Sequence, residues 1–239
     1  MPRGRTSSRS SSRKRSRVVS RSPYSGSSAS LAPSGRQTRQ GRNWPAQTDK
    51  SYLIAWDPFP AVQMATLRYS TVVTLAVTIA GTPTSHLFRA NSIYDPDFTG
   101  IGHQPYGYDT YASIYNHYEV LSSRIVVKPT QSSNFIYGIA KTDDATISAD
   151  YDTIREQKGT NVISVASGTS PESVTNYYDQ RYFPNKFQQQ AGFNTDVVDP
   201  MFYQVFLEGN SSASTVTISF LVNITYNVRM AELRDLGQS

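Results

Sequence analysis

Hydrophobic and polar positions alternate along two long segments of the chain. In residues 216–228, large apolar side chains recur at every second position, and Thr, Ser and Asn fill most positions between them. A period of two is that of a β-strand with one buried face, so this segment predicts a long strand. Residues 67–79 alternate in the same way, and they predict a second long strand.

Shorter apolar segments bounded by Gly, Pro, Asn or Asp predict further strands. These segments are residues 87–90, 120–128, 135–140, 162–166 and 201–207. The body of the chain is rich in Thr, Val and aromatic residues, a mixture that favours strands over helices. We therefore expect a mainly β protein.

Two segments predict short helices. Asp109 is a favourable N-cap, and Tyr111, Ile114, Tyr115 and Tyr118 follow at the spacing of one helix face, which predicts two to three helical turns. Residues 152–158 predict a second, shorter surface helix. Residues 168–194 are mostly polar and predict a long loop. We expect some of the aromatic residues in this loop to contact a partner chain.

About eight strands with long connections and one or two short helices predict an all-β fold, a single jelly-roll β-sandwich. We assign this jelly-roll domain to residues 61–239. Residues 43–60 contain Trp44, Trp56 and several prolines, and they predict a linker that runs over the domain surface. Residues 1–42 form a separate N-terminal arm.

The arm carries a charge opposite to that of the remaining chain. It contains no Asp or Glu, and its Lys and Arg residues are Arg3, Arg5, Arg9, Arg13, Lys14, Arg15, Arg17, Arg21, Arg36, Arg39 and Arg42. The whole chain has 23 Lys and Arg against 18 Asp and Glu. Without the eleven cations of the arm, 12 remain against 18, so the net charge of the rest is −6.

This charge asymmetry indicates that the arm binds nucleic acid. The arm has almost no apolar residues to bury, so we predict that it is disordered when free. The eleven cations are the predicted nucleic-acid-binding residues. The densest run, Arg13, Lys14, Arg15 and Arg17, also fits a basic nuclear-localisation signal.

Several other function classes find no support in the sequence. The chain has no Cys, which excludes disulfides, thiolate metal sites and a cysteine nucleophile. We find no catalytic motif, predict no enzyme activity, no cofactor and no metal site, and see no run of roughly 20 apolar residues for membrane insertion. Asp95 and Asp97 with Asp109 are compatible with a calcium site, although Asp-Pro-Asp is equally typical of a turn.

One stretch resembles a known family. It contains Phe88-Arg89-Ala90-Asn91-Ser92-Ile93-Tyr94-Asp95-Pro96-Asp97, then Gly102-His103-Gln104-Pro105, and then Asp109, Tyr115-Asn116-His117-Tyr118 and Val120. With the Arg-rich arm, it resembles the capsid proteins of circular, replication-initiator-encoding single-stranded DNA viruses, the circovirus-like group. The resemblance covers the arm and residues 67–127; the remainder matches only in its strand pattern.

The resemblance implies a subunit that assembles with other copies of itself, roughly sixty, into a small icosahedral shell. It implies that the arm points inward and binds the viral single-stranded DNA genome. The expected location is the virion, with assembly in the host nucleus. Host nuclear import receptors and a cell-surface receptor are further expected partners.

Two alternatives share the same charge pattern. The first is the coat protein of a small RNA virus. The second is a cellular Arg- and Ser-rich RNA-binding protein with a β-domain. The arm alone does not separate DNA from RNA, because its cations contact phosphates, which both nucleic acids carry.

Overall fold

The computed structural model describes residues 58–77, 83–146, 150–182, 189–209 and 215–235. These residues form nine strands, two short α-helices and one 3₁₀ helix. The strands are β1 Val62–Val77, β2 Thr84–Arg89, β3 Tyr115–Pro129, β4 Phe135–Thr142, β5 Asn161–Val165, β6 Val174–Asp179, β7 Gln190–Gly192, β8 Phe202–Gly209 and β9 Val216–Leu233. The α-helices are α1 Tyr108–Ala112 and α2 Tyr151–Glu156, and the 3₁₀ helix is Gln180–Tyr182.

The strands form two antiparallel sheets. The first sheet has the order β1-β9-β3-β6, with β7 paired to β3, and the second has the order β2-β8-β4-β5. The chain crosses repeatedly between the sheets, and the last strand returns to lie between β1 and β3. These two four-strand orders, connected in Greek-key fashion, are those of a jelly roll, and β7 adds a short fifth strand to the first sheet. The predicted all-β jelly-roll sandwich with two short helices is confirmed.

The main core lies between the two sheets. On β9, every second residue from Ile218 to Met230 is buried, and the residues between them lie on the outer face. The ring of Phe220 lies 5.3 Å from that of Tyr137 and 6.3 Å from that of Phe135, both on β4 of the second sheet. The alternation in the sequence thus marks the face on which each long strand meets the opposite sheet.

Each of the seven predicted strands coincides with an observed strand whose ends differ by a few residues. The predicted strand at residues 67–79 corresponds to β1, which begins five residues earlier; residues 78 and 79 lie outside the described ranges. The predicted helix at residues 152–158 is confirmed as α2. Asp150 caps it, because its side chain accepts a hydrogen bond from the backbone N–H of Thr153.

The helix predicted from Asp109 onward is wrong beyond its first turn. Helix α1 covers only five residues, and Gly107 with a φ of 87° stands at its N-cap. Tyr115 and Tyr118 belong to β3, where both are buried and paired with β9. Helical spacing of apolar residues is a weak local preference, and the long ladder between β3 and β9 outweighs it.

The loop predicted at residues 168–194 is also wrong in part, because it contains β6, the 3₁₀ helix and β7. The inward position at the centre of β6 is the polar residue Asn176, which hides the period of two. Its side-chain amide donates hydrogen bonds to the backbone oxygens of Ile139, at 3.0 Å, and Gly159, at 2.8 Å. These bonds allow a polar side chain to be buried between the sheets.

The assignment of residues 1–42 to a disordered arm and 43–60 to a linker stays a prediction, because residues 1–57 lie outside the described ranges. No helix in the described part of the chain is long and apolar enough to cross a membrane.

Candidate nucleic-acid interface

The eleven predicted nucleic-acid-binding cations of the arm lie outside the described residues. The same holds for the predicted nuclear-localisation residues Arg13, Lys14, Arg15 and Arg17. Their roles stay predictions. The described part of the chain nevertheless contains a basic surface of its own, on the outer face of the first sheet.

This surface is built by a row of four residues that cross the first sheet side by side. Arg68 of β1 lies opposite Thr225 of β9, Thr225 lies opposite Arg124 of β3, and Arg124 lies opposite Tyr177 of β6. Their chain neighbours, such as Tyr69, are buried in the core. Since side chains alternate along a strand, all four residues of the row project from the outer face.

The row forms part of a cleft of about 740 Å³, hereafter the basic cleft. Its lining residues are Arg68, Ser122, Ser123, Arg124, Lys141, Tyr177, Tyr178, Asp179, Tyr182, Thr225 and Asn227. Arg68, Arg124 and Lys141 form no ion pair with any carboxylate of the described residues. In contrast, Arg155 and Arg229 each bind a glutamate.

The aromatic side of the cleft contains Tyr177 and Tyr182. The guanidinium carbon of Arg124 lies 5.6 Å from the centre of the Tyr177 ring, a distance at which a cation and an aromatic face attract each other. Tyr177 is 56% exposed and Tyr182 is 83% exposed. Exposed tyrosine rings of this kind offer flat surfaces to a planar ligand.

Lys141 reaches the cleft from β4 of the second sheet. Its ammonium group donates a hydrogen bond of 3.1 Å to the backbone oxygen of Tyr177. Burial lowers the pKa of Lys141 from its usual value, and the nearby positive charge of Lys158 lowers it further. An anion in the cleft would oppose both effects, because it favours the charged ammonium form.

Asp179 is the one carboxylate among the described residues that line the cleft. Hydrogen bonds from the side chain of Arg181, followed by one from its backbone N–H, hold the pKa of Asp179 below its usual value. The two side chains approach to 2.5 Å between nitrogen and oxygen. Asp179 is therefore already paired, and the three other charged side chains give the cleft an excess of positive charge.

The remaining lining is polar and hydrogen-bonded. Thr66 donates a hydrogen bond of 3.0 Å to the side-chain oxygen of Asn227, and the Asn227 amide donates one of 3.0 Å to the hydroxyl of Ser122. These contacts fix the orientation of the Asn227 amide beside the row. The cleft can attract an anion and can pack a flat ring against tyrosine.

Asp95 and Asp97 lie outside the basic cleft, in the loop between β2 and α1. Asp97 accepts a hydrogen bond of 2.7 Å from Thr99 and contacts the His86 ring nitrogen at 2.8 Å, and Asp95 lies 3.6 Å from Arg89. Within the described ranges, no three His, Asp or Glu side chains are grouped so as to hold a metal ion. The structure thus gives Asp95 and Asp97 protein partners in β2 and in the loop that follows it.

The basic cleft was not predicted, because β6 lies in a segment that the polar pattern assigns to a loop. The signal was present: Val174, Asn176 and Tyr178 alternate with Thr175, Tyr177 and Asp179. With β6 recognised as a strand, Tyr177 would have been placed on an outer face. The pairing of Arg68 with Thr225 and of Thr225 with Arg124 depends on contacts between residues far apart in the chain, so it required the structure.

Comparison with known proteins gives likenesses of fold only. No family model matches the chain, and no curated protein matches it. A chain from the structure of turnip yellow mosaic virus superposes with a TM-score of 0.44 at 9% identity, over 77% of this chain and 88% of that one. The 60-mer BFDV capsid protein gives 0.44 at 12% identity, over 76% and 100%. A chain of Cocksfoot mottle virus gives 0.43 at 12% identity, over 70% and 96%.

All three TM-scores lie below 0.5. The assignment of this chain to the jelly rolls therefore rests on its own strand order and not on these likenesses.

Proposed function

We propose that this chain is the capsid protein of a small virus and that it resembles circovirus-like capsid proteins in function as well as in sequence pattern. About sixty copies form an icosahedral shell. Each copy directs its arm inward and binds the single-stranded DNA genome. The chain has a structural role and no enzyme activity.

The observation that carries this proposal is the combination of a jelly-roll domain with eleven cations confined to 42 residues. A cationic tail of this density on an otherwise acidic protein is a strong ligand for a polyanion. Binding releases the counterions condensed on the nucleic acid, which makes the association favourable without sequence-specific contacts.

Assembly multiplies this effect. Eleven cations on about sixty copies place on the order of 600–700 positive charges inside one shell. That number neutralises several hundred phosphates of a genome. Tethering many weak arms to one closed surface also raises their effective concentration, so an arm that does not read sequence can retain a long single strand.

The first experiment asks whether the full-length chain forms shells. Purified protein is examined by negative-stain electron microscopy, and we expect closed particles of uniform diameter. A cellular RNA-binding protein with a β-domain would give no closed shells under any assembly condition, and that result would overturn the capsid proposal.

The second experiment identifies the packaged nucleic acid. Nucleic acid extracted from virions is treated separately with DNase and with RNase. We expect DNase to degrade it and RNase to leave it intact. RNase-sensitive content would instead identify the coat protein of a small RNA virus.

The third experiment tests the arm. Deletion of residues 1–42 should leave a domain that still folds and shells that contain little nucleic acid, measured by the absorbance ratio of purified particles. A matched variant keeps the arm at full length but replaces its eleven cations with Gln. Equal loss of packaging in both variants assigns the effect to charge; full packaging by either one contradicts the proposal.

Nuclear import follows from the same arm. Arg13, Lys14, Arg15 and Arg17 form the signal that host import receptors recognise, and shells then assemble in the nucleus. Replacement of these four residues by Ala should keep the full-length protein in the cytoplasm by fluorescence microscopy. Replacement of Arg3, Arg5, Arg36 and Arg39 removes the same charge elsewhere in the arm and should leave nuclear import intact.

A further inference from the structure

We propose that the basic cleft is a second contact site for the packaged single strand, at which the jelly-roll domain itself holds a short stretch of nucleotides. The inference rests on the proposed function, since it takes the packaged strand as its ligand. The folded domain would then contribute a defined binding site in addition to the arm, which binds without sequence-specific contacts.

The first argument is the local charge. The chain outside the arm has a net charge of −6, yet the cleft combines Arg68, Arg124 and Lys141 without an ion-pair partner among the described carboxylates. Asp179, which also lines the cleft, is occupied by Arg181. Cations that converge without a carboxylate partner favour the binding of an anionic ligand.

The second argument is the geometry of the two arginines. Arg68 and Arg124 are separated by the single strand β9, so their backbones lie roughly 10 Å apart at the usual strand spacing. Each guanidinium can donate two parallel hydrogen bonds to one phosphate. A strand that crosses the sheet along the row can therefore place phosphates beside both arginines.

The third argument is the tyrosine side of the cleft. Tyr182 is almost fully exposed, and Tyr177 is held under the guanidinium of Arg124. Bases of a single strand are unpaired and stack on aromatic rings in proteins that bind single strands without sequence preference. The two arginines can therefore bind phosphates while Tyr182 stacks on a base, so that the cleft forms one nucleotide-binding surface.

The composition of the cleft also favours nucleic acid over a second protein. Its described lining contains no Leu, Ile, Val, Phe or Met. The core of a protein interface is more apolar than the rest of the surface and is depleted of Lys, although Arg and Tyr are common there. Cations and tyrosine without aliphatic side chains match a single-stranded nucleic acid.

The test measures binding of a fluorescein-labelled oligothymidylate of about 20 nucleotides to the full-length, unassembled chain by fluorescence anisotropy. The dissociation constant is determined at a series of NaCl concentrations. The double variant Arg68→Ala/Arg124→Ala should bind more weakly, and the slope of log K against log[salt] should become less steep by about 1.4, or 0.7 per lost phosphate contact.

A Tyr182→Ala variant separates stacking from charge. It should weaken binding about 5- to 150-fold at fixed salt, the effect of one lost stacked base. The salt slope should stay unchanged, because no cation is removed. A Tyr106→Ala variant is the matched control: Tyr106 is 92% exposed but lies outside the cleft, and its loss should change neither quantity.

The matched control for charge is Lys128→Ala. Lys128 is exposed on the same strand as Arg124, four residues further along and about 13 Å away at the usual rise. Its replacement should leave the slope of log K against log[salt] equal, within experimental error, to that of the unmodified chain. The charge-retaining variant Arg68→Lys/Arg124→Lys should recover the original slope, which shows that the alanine variant lost charge and not its fold.

Three results would overturn the proposal. The first is unchanged oligonucleotide binding by both Arg68→Ala/Arg124→Ala and Tyr182→Ala. The second is a loss of binding in the controls Tyr106→Ala and Lys128→Ala as large as that in the cleft variants. The third is loss of shell assembly by the cleft variants with unchanged oligonucleotide binding, which would make the cleft a contact between subunits. None of these three results would contradict the proposed role of the arm in packaging. Failure of the proposed function would give different results. The dissociation constant of the unmodified chain would not change with salt concentration, or shells without residues 1–42 would package fully.

Discussion

The two sheets of the jelly roll differ in what covers their outer faces. On the first sheet, Arg68, Val72 and Arg124 project outward and are exposed. On the second sheet, the outward-facing Phe206 of β8 is buried, together with Ala140 of β4, beneath helix α2. Within the described residues, the first sheet is thus open on its outer side, whereas β8 and β4 of the second sheet are covered on both sides.

This difference explains why the two sheets have different sequence patterns. Strands β1 and β9 alternate cleanly because only one face is buried. In β8 nearly every residue is buried, so its sequence is an almost continuous apolar run. The two faces also differ in their surface: within the described residues, the outer face of the first sheet contains the basic cleft, while the outer face of the second sheet packs against α2.

The largest expected effect comes from the covered face. Phe206→Ala should lower the free energy of unfolding by about 3–5 kcal/mol, because it empties the small core formed with Ala140, Tyr151 and Ile154. Urea unfolding of the full-length chain measures this. Val72→Thr on the open face, at a residue that is 60% exposed, should change the same quantity by less than about 0.5 kcal/mol. Equal effects would remove the distinction between the two faces.

An intermediate effect is expected at Gly138 of β4. A Cβ atom at this position would lie 2.5 Å from the backbone oxygen of Asn161 and 2.7 Å from the ring of Phe206. Gly138→Ala should therefore destabilise the chain by about 1–3 kcal/mol in the same urea assay.

The control for Gly138 is Gly209→Ala in the neighbouring strand β8. Its Cβ would meet Val77 at an ordinary contact distance of 3.5 Å. We expect a clearly smaller loss than at Gly138. If the two variants lost the same stability, close packing on the outer side of the second sheet would not be the cause.

The smallest effect concerns the cap of the covering helix. Asp150→Ala removes the acceptor for the Thr153 N–H and should lower the Tm of the full-length chain by about 2–4 °C, measured by thermal unfolding. Asp150→Asn keeps an acceptor and should lose less. A Tm for Asp150→Asn as low as that for Asp150→Ala would show that the cap does not stabilise α2.

The cap also predicts a pH dependence. Hydrogen bonds from the side chain and backbone of Thr153 lower the pKa of Asp150. A carboxyl whose pKa is lower in the folded chain contributes stability above its unfolded pKa, about 3.9, and this contribution disappears as the pH falls through the folded pKa. The difference in Tm between the unmodified chain and Asp150→Asn should therefore shrink in acid. A constant difference down to low pH would contradict this role.

The same comparison shows where sequence patterns predict structure well. Strands with one exposed face, such as β1 and β9, were predicted from alternation alone. Short strands of the second sheet were recognised as apolar runs between turn residues. The pattern failed where a buried position is polar, as at Asn176, and where apolar residues at helical spacing lie in a strand, as at Tyr115 and Tyr118.

The sequence by itself determined the fold class, the long strands and the separation of charge between the arm and the rest of the chain. All three are properties of composition or of period along the chain. The tertiary structure alone decided the strand order, the covering of the second sheet by α2, and the convergence of Arg68, Arg124 and Tyr177 in one row. These residues are brought together by strand register, which depends on pairing between distant segments.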